Sequence, residues 1–476
     1  MHLSKKTKIV CTIGPATETE EKLTALLKAG MNVMRLNFSH GDFKEHQARV
    51  DSLRKAVEKT GVPAAILQDL SGPKIRTGEF ATESGRVTIK KGQTFTLTTE
   101  NIKGDETRVH INYALLPKEA KVGHRIMLDD GKKQLEVKKI VGKEIITKVI
   151  VGGELKGRRG VNLPDTDLSI SSLTDKDKKD LAFGIKNEAD FVALSFVRRP
   201  SDVEELRALL NKAKSKAFII AKIETPQAVD NIDRIIELSD GIMVARGDLA
   251  VEVPAENVPL IQKMIIKKCN KAGKPVITAT QMLESMIKSP VPTRAEVSDV
   301  ANAILDGTDA IMLSEETTLG DFPVEAVEVM SRVALKVEND FLHKQLLDSS
   351  RSAEHNRAIG SSLTASAIRV ADEIGAAHIL SLTTSGNGAR LLSRYKPAQP
   401  ILVFTPNKHT FQKVILSFGC YPVMIDTFKD FTAAFEVIRT YCLKNKIAKK
   451  GEKAVIVSGV PFGQSVQTNV LLVQVL

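Results

Sequence analysis

FIIAKIET, residues 218–225, starts as a buried strand should, with Phe218, Ile219, Ile220 and Ala221 in succession, and then ends on charge. Lys222 and Glu224 close the run before Thr225 and Pro226 open what reads as a helix, Thr225 as its cap and Pro226 in its first turn. Charged side chains are seldom buried unless they are paired or bind something. A lysine and a glutamate at the exit of a core strand are therefore either a structural ion pair or part of a site.

The same strand-then-helix texture recurs along the chain. KIVCTIG (8–14), NVMRLN (32–37) and AAILQDL (64–70) are apolar runs flanked by helical stretches such as EEKLTALLKAG and HQARVDSLRKAVEKTG. After an interruption come DFVALSF (190–196), FIIAKIE (218–224), GIMVARGDL (241–249), PVITATQM (275–282) and DAIMLS (309–314), which makes eight runs. Ser201 with Glu204, and Thr293 with Glu296, read as capping boxes for the helices between them. Strands alternating with helices predict a parallel sheet with right-handed crossovers, and eight such units close into a (β/α)8 TIM barrel; a doubly wound open sheet is the alternative.

The interruption, 71–167, has a different texture. GRVTIKKGQTFTLTT, DETRVHI, HRIMLDDGKKQLEVKKI and EIITKVIVGG alternate polar and apolar residues around Gly and Asp-Gly turns, as in a small all-β domain. Inserted in a βα loop, this small β-barrel would sit over the catalytic mouth as a lid. The expected divisions are a barrel from 1–70 and 168–340, the lid from 71–167, and a C-terminal regulatory α/β domain from 341–476. LLDSSRSAEHNR (346–357) reads as the linker into that last domain, whose runs HILSLTT, PILVFT, YPVMID, KAVIVSG and NVLLVQVL predict a Rossmann-like sheet of about five strands.

Composition narrows the classes. At 476 residues with 42% hydrophobic and 26% charged residues, the chain reads as a soluble protein of two or three domains. The basic start at Lys5, Lys6 and Lys8 is not followed by the apolar core of a signal peptide, and no run approaches the roughly 20 apolar residues of a membrane span, so a cytoplasmic location is expected. Cys11, Cys269, Cys420 and Cys442 lie too far apart for a C-x-x-C metal or redox motif and read as reduced packing residues. A net charge of +11 suggests anionic partners, but with no Trp and only four Tyr the aromatic platforms of a nucleic-acid binder are missing, and small phosphorylated substrates fit as well.

Catalytic residues of (β/α)8 enzymes collect at the C-terminal ends of the strands. There the second run offers Arg35, Asn37, Ser39 and His40, the third Asp69, the fifth Lys222 and Glu224, the sixth Arg246, Gly247 and Asp248, the seventh Thr280 and Gln281, and the eighth Ser314 and Glu316. Each alone has a bland reading: Lys222–Glu224 and Arg246–Asp248 as ion pairs, Thr280 as a satisfied hydroxyl, His40 as a structural histidine. Together, at one face, they read as a site. Glu224 and Asp248 supply hard oxygens suited to Mg²⁺ or Mn²⁺. Arg35, Arg76, Arg246 and Lys222 supply charge for phosphate and carboxylate groups, as direct phosphoryl transfer requires. A Schiff-base aldolase using Lys222 is the enzymatic rival, and a basic nucleic-acid-binding protein the non-enzymatic one.

TKIVCTIGPAT, GMNVMRLNFSHG, GPKIRTG, GVNLP, AKIE, GIMVARGDL, ITATQMLESMIKSPVPTRAEVSDVANAILDGTDAIMLSEET and DFPVEAV, in this order, closely resemble pyruvate kinase over nearly the whole chain. The resemblance implies transfer of the phosphoryl group of phosphoenolpyruvate to ADP, giving pyruvate and ATP at the end of glycolysis, by a homotetramer. It implies that Arg35 binds the substrate phosphate and that Lys222 stabilises the phosphoryl group in flight and the enolate left behind. Glu224 and Asp248 would hold the metal, with Gly247, Asp248 and Thr280 around the substrate carboxylate. Asn37, Phe38, Ser39, His40, Arg76 and Arg159 would face the nucleotide. Departures are Ala250 and Glu315 where Gly is usual, and Arg159 where Lys is usual.

Two further expectations remain, one from the resemblance and one from a loop of the C-terminal domain. Many members hold K⁺ with groups corresponding to Asn37, Ser39, Asp69 and the backbone of Leu70, in a stretch reading Asp-Thr-Lys-Gly-Pro-Glu; here it runs Asp69, Leu70, Ser71, Gly72, Pro73, Lys74, so Lys74 is expected to substitute for K⁺. The loop Thr383, Thr384, Ser385, Gly386, Asn387, Gly388 follows a strand and opens a helix, a setting for a phosphorylated sugar or nucleotide effector. Members that bind a sugar bisphosphate carry a basic residue and a Ser where this chain has Asn387 and Gly388, which disfavours fructose 1,6-bisphosphate.

Overall fold

The computed structural model describes residues 5–338, 358–427, 430–461 and 466–476; the expected linker at 346–357 lies outside them. All eight predicted runs are strands of one closed parallel barrel, in which each pairs with its neighbours in chain order and the first, Lys8–Thr12, meets the eighth, Ala310–Leu313. The others are Val33–Asn37, Ala65–Asp69, Phe191–Leu194, Phe218–Ile223, Gly241–Ala245 and Val276–Ala279. Closure excludes the doubly wound alternative. The strands read as unbroken apolar runs because helices cover the outer face while Val10, Leu67, Ala193, Ile220, Met243, Ile277 and Met312 fill the interior.

The helix signals fare unequally. Thr293 and Glu296 form their capping box, and the Thr225 hydroxyl accepts from Ala228 N–H as a cap should. Ser201 and Glu204 do not: the helix starts at Pro200, and Asp202 is the carboxylate that accepts from the N–H groups of Arg198 and Arg199. Proline at the first helical position sets φ for the helix, and the start lies two residues earlier than the Ser201 cap implied.

Between the third and fourth barrel strands a six-stranded sheet and a two-stranded ribbon, Arg86–Ile89 with Gly153–Lys156, share one apolar core that includes Phe95, Leu135 and Val149. The C-terminal sheet has five strands, four parallel and the last, Val470–Val475, antiparallel to Lys453–Ser458. It docks on the barrel's lower face. There Lys396 Nζ lies 2.8 Å from Asp309 Oδ1, both fully or nearly fully buried, and Lys413 Nζ sits 3.9 Å from the centre of the Phe218 ring at the foot of the fifth strand. Among the described residues no helix is long and apolar enough to cross a membrane.

Candidate active site

Lys222 and Glu224 are two residues apart, so the pleat of the fifth strand turns both toward the barrel's axis. Lys222 Nζ lies 2.8 Å from Glu224 Oε1 and 3.4 Å from Asp69 Oδ1, and it donates to Ser195 Oγ at 2.7 Å. The ion pair of the bland reading is thus real, but it is one edge of a cluster. Arg35 Nε meets Asp69 Oδ2 at 2.7 Å, and Arg35 Nη1 donates to the Thr12 hydroxyl at 2.7 Å. Glu224 Oε2 accepts from the N–H of Phe196 at 2.7 Å, a residue held at φ 54°.

A second strained backbone completes the mouth. Thr280 and Gln281 have φ of 72° and 54°, and a β-branched residue in that region costs on the order of 1–3 kcal/mol unless its surroundings enforce it. Arg246 does the enforcing. Its Nη2 donates to Thr280 O at 2.8 Å and lies 2.8 Å from Met282 Sδ, while Nη1 binds Asp299 at 2.7 Å. The sequence reading put Arg246 among the phosphate-binding cations or paired it with Asp248; the side chain is instead committed to the loop and helix behind the mouth. The Thr280 hydroxyl accepts from Gly247 N–H at 2.7 Å, so these two groups stand within the span of one carboxylate.

Burial alone would lower the Lys222 pKa, but the carboxylates of Asp69, Glu224 and Asp248 outweigh it and hold the ammonium above the usual lysine range. A Schiff-base lysine needs the opposite shift and a setting without paired carboxylates, so the contacts of Lys222 with Glu224 and Asp69 argue against the aldolase reading. Burial first, and then Asp248, push Glu224 up against the pull of Lys222. Asp69 is also pushed up by burial, yet Lys222 and Arg35 bring it below the ordinary carboxylate range. Among the described residues no three His, Cys, Asp or Glu side chains gather as a ready metal cage. The buried Glu224 with the exposed Asp248 is instead a two-carboxylate donor set of hard oxygens, which fits Mg²⁺ or Mn²⁺ completed by water and substrate oxygens.

Of the remaining predicted residues, Lys74, Arg76 and Arg159 line a cleft beside the mouth, whereas Asn37, Phe38, Ser39 and His40 are not among its lining residues and Phe38 is buried in the core. A cleft of about 280 Å³ is bounded by Lys74, Arg76, Arg159 and Asn162 on one side and by Asp248 and Glu252 on the other. Arg76 Nη1 donates to Arg158 O at 3.2 Å, and Arg159 Nε lies 3.3 Å from Asp129 Oδ1. Asn37 to His40 form a turn in which Asn37 Oδ1 accepts from Ser39 N–H at 3.1 Å, and Phe38 stacks on His46 at 4.1 Å. Burial, then the charges of Lys74, Arg76 and Arg35, lower the His40 pKa, which marks the turn as cationic ground. Leu70 O already accepts from Ser195 Oγ at 2.7 Å. Lys74 lines the cleft with its side chain still exposed; desolvation by the cleft walls and then the charges of Arg76 and Lys222 lower its pKa, against the opposing pull of Asp248 and Glu224.

Of the C-terminal loop, Gly386 sits at φ 77° and its N–H donates to Thr383 Oγ1 at 3.0 Å. Thr383, Thr384, Ser385, Asn387 and Gly388 line a cavity of about 360 Å³ that also includes Asp426; no Lys or Arg lines it among the described residues. Sequence reasoning missed Ser195 and Thr12 at the ends of the fourth and first strands, Lys176, whose Nζ donates to Phe38 O at 2.7 Å, and the buried Glu252, which burial pushes up to about 7. Surveying all eight strand ends would have found the first two.

A (β/α)8 barrel whose mouth holds a lysine among carboxylates, beside Arg76 and Arg159 of the inserted β domain, carries the charged groups that a phosphotransferase needs. Residues 4–327 match the family description "Pyruvate kinase, barrel domain" and residues 361–474 "Pyruvate kinase, alpha/beta domain". The chain is 45% identical over 477 residues to the pyruvate kinase of Geobacillus stearothermophilus, covering 100% of this chain and 81% of that protein. It is 44% identical to that of Clostridium acetobutylicum, over 99% of both. A crystal structure of a pyruvate kinase from Cryptosporidium parvum superposes with a TM-score of 0.94 at 37% identity, over 99% of this chain and 96% of that one. The chain belongs to the pyruvate kinase family, and it transfers the phosphoryl group of phosphoenolpyruvate to ADP, giving pyruvate and ATP.

Proposed function

We propose that this transfer runs at the barrel mouth with Lys222 as its central group. The observation that carries the reading is the buried Lys222 ammonium, 2.8 Å from Glu224 Oε1 and 3.4 Å from Asp69 Oδ1 at the end of the fifth strand. A fixed positive charge there stabilises negative charge as it develops on the transferring phosphoryl group and on the enolate oxygen. Arg35, anchored by Asp69 and Thr12, takes the substrate phosphate. Gly247, Asp248 and Thr280 take the carboxylate, and Thr280 stands beside the path by which the enolate carbon is protonated. Asn37, Phe38, Ser39, His40, Arg76 and Arg159 bind ADP.

Glu224 and Asp248 hold Mg²⁺ or Mn²⁺, which when bound supplies charge neutralisation for the phosphate oxygens. Lys74 fills the role of K⁺, in place of a site built from Asn37, Ser39, Asp69 and Leu70, so K⁺ is not required. The assembly is a cytoplasmic homotetramer serving glycolysis. The cavity beside Thr383–Gly388 takes a phosphorylated sugar or nucleotide effector, with fructose 1,6-bisphosphate disfavoured by Asn387 and Gly388. ATP formation from phosphoenolpyruvate and ADP, coupled to pyruvate reduction and titrated with Mg²⁺, tests the central reading. Activity that survives chelation of divalent ions would refute the metal site.

A further inference from the structure

The helix Arg246–Glu252 presents Gly247 and Asp248 at its first turn and Glu252 at its last residue. Glu252 is buried and accepts from Asn162 Nδ2 at 2.8 Å. Asn162 belongs to the lid, in the strand Val161–Asn162 that pairs with Arg125–Leu128. The next lid hairpin rests on the same helix. Its tip, Asp129, Asp130 and Gly131, is left-handed throughout, and a Cβ on Gly131 would lie 3.3 Å from Val251 Cγ1. Asp129 at that tip is the residue that holds Arg159.

The lid therefore has its seat on a helix of 7 residues, about 10 Å long at 1.5 Å per residue. One end of that helix carries the metal and substrate groups, and the other receives the lid. A displacement of the lid relative to Asp248 displaces the nucleotide-side arginines relative to the phosphoryl group, and about 1 Å of misplacement can cost a hundredfold in rate.

We infer that Asn162 and Glu252 form a latch that sets the lid against the metal-bearing helix, and that both are positioning residues for phosphoryl transfer to the nucleotide. The latch rests on the assignment of Gly247 and Asp248 to substrate and metal. Its removal should impair only the step that needs the lid, and leave intact the protonation of the enolate, which uses the barrel face alone.

Two readouts on the full chain separate these steps: ATP formation, and exchange of the methyl protons of pyruvate into D₂O with Mg²⁺ and inorganic phosphate, which runs enolate protonation backward without nucleotide. Asn162→Ala should lower kcat for ATP formation by roughly tenfold to a hundredfold while exchange stays within about twofold. Glu252→Gln, which keeps an acceptor for Asn162, should retain most of the activity, and Asn162→Ala with Glu252→Ala together should be no worse than the poorer single variant. Equal loss of both reactions in a folded Asn162→Ala protein, or loss of neither, overturns the latch. If Glu252→Ala does not fold, the lid-side variant and Glu252→Gln still decide. Asp248→Asn serves as the control: exchange should be lost in that variant, and intact exchange overturns the assignment of Asp248 on which the latch rests, an outcome distinct from failure of the latch alone.

Discussion

Arg35 and Asp69, on adjacent barrel strands, are joined Nε to Oδ2 at 2.7 Å with both side chains buried. Asp69 also faces Lys222, so one carboxylate is counter-charge to two cations that the site needs, Lys222 having Glu224 besides. Replacing Asp69 by Asn leaves both cations buried without their shared counter-charge, and losing one partner of a buried pair costs about 3–5 kcal/mol. Because the folded-state pKa of Asp69 is depressed, its contribution is present above the unfolded value of about 3.9 and is lost as pH falls through the lower folded value. Calorimetric unfolding from neutral to acid pH should show this loss in the parent protein and not in Asp69→Asn.

Replacing Lys222 by Met removes a charge required mainly where negative charge develops. The expected result is a fall in kcat on the order of 10² to 10³ or more with a much smaller change in phosphoenolpyruvate affinity. Steady-state kinetics with calorimetric substrate binding checks it, and a variant altered in KM alone would contradict the role.

Ser195 links Lys222 to the backbone carbonyl of Leu70. Ser195→Ala should leave the fold intact, with a stability loss of about 1 kcal/mol, and should reduce kcat by roughly tenfold because Lys222 loses one of the bonds that aim it. Substrate dissociation constants close to the parent's would separate aiming from binding.

Arg246 braces Thr280 and Gln281 from behind the mouth. Lysine cannot span Asp299, Thr280 O and Met282 Sδ together, so Arg246→Lys should relax the strained loop. The expected outcome is a loss of about 1–3 kcal/mol in stability and a raised KM for phosphoenolpyruvate, with Mn²⁺ affinity measured by electron paramagnetic resonance unchanged. Weakened Mn²⁺ binding would return Arg246 to the site itself.

If Lys74 stands in for K⁺, turnover with Mg²⁺ in tetramethylammonium buffer should change little on adding K⁺ at neutral pH. A hundredfold rise, about 2.7 kcal/mol, would show that a potassium site is still required. Desolvation by the cleft walls and the charges of Arg76 and Lys222 lower the Lys74 pKa, so its ammonium is lost on raising pH sooner than an ordinary lysine's. K⁺ stimulation should accordingly emerge at alkaline pH and be absent below it.

The eight barrel strands were legible because a parallel strand covered on both faces must be apolar at every position, and a run such as Phe218 to Ala221 has no other use. The strand-end residues were legible for the same reason in reverse, since Lys222, Glu224 and Asp69 are conspicuous where apolar side chains are expected. Arg246 was misread because sequence gives a residue's place at the mouth but not the direction of a long side chain, which Asp299, more than fifty residues on, decides. Ser195 and Thr12 are small hydroxyls that look like ordinary strand residues until a cation is seen to need them. Glu252 was hidden differently, its partner Asn162 lying in the inserted domain.

The buried contact between Lys396 and Asp309 sets a compatibility rule for exchanging parts among relatives. Asp309 also accepts from the N–H groups of Val276 and Phe418, so it is held by the barrel and by the C-terminal domain alike. A chimaera that brings a foreign C-terminal domain without a cation at position 396 would leave a buried carboxylate without its counter-charge. Lineages in which the two domains have been recombined should therefore keep this acid and this base together, or lose both at once.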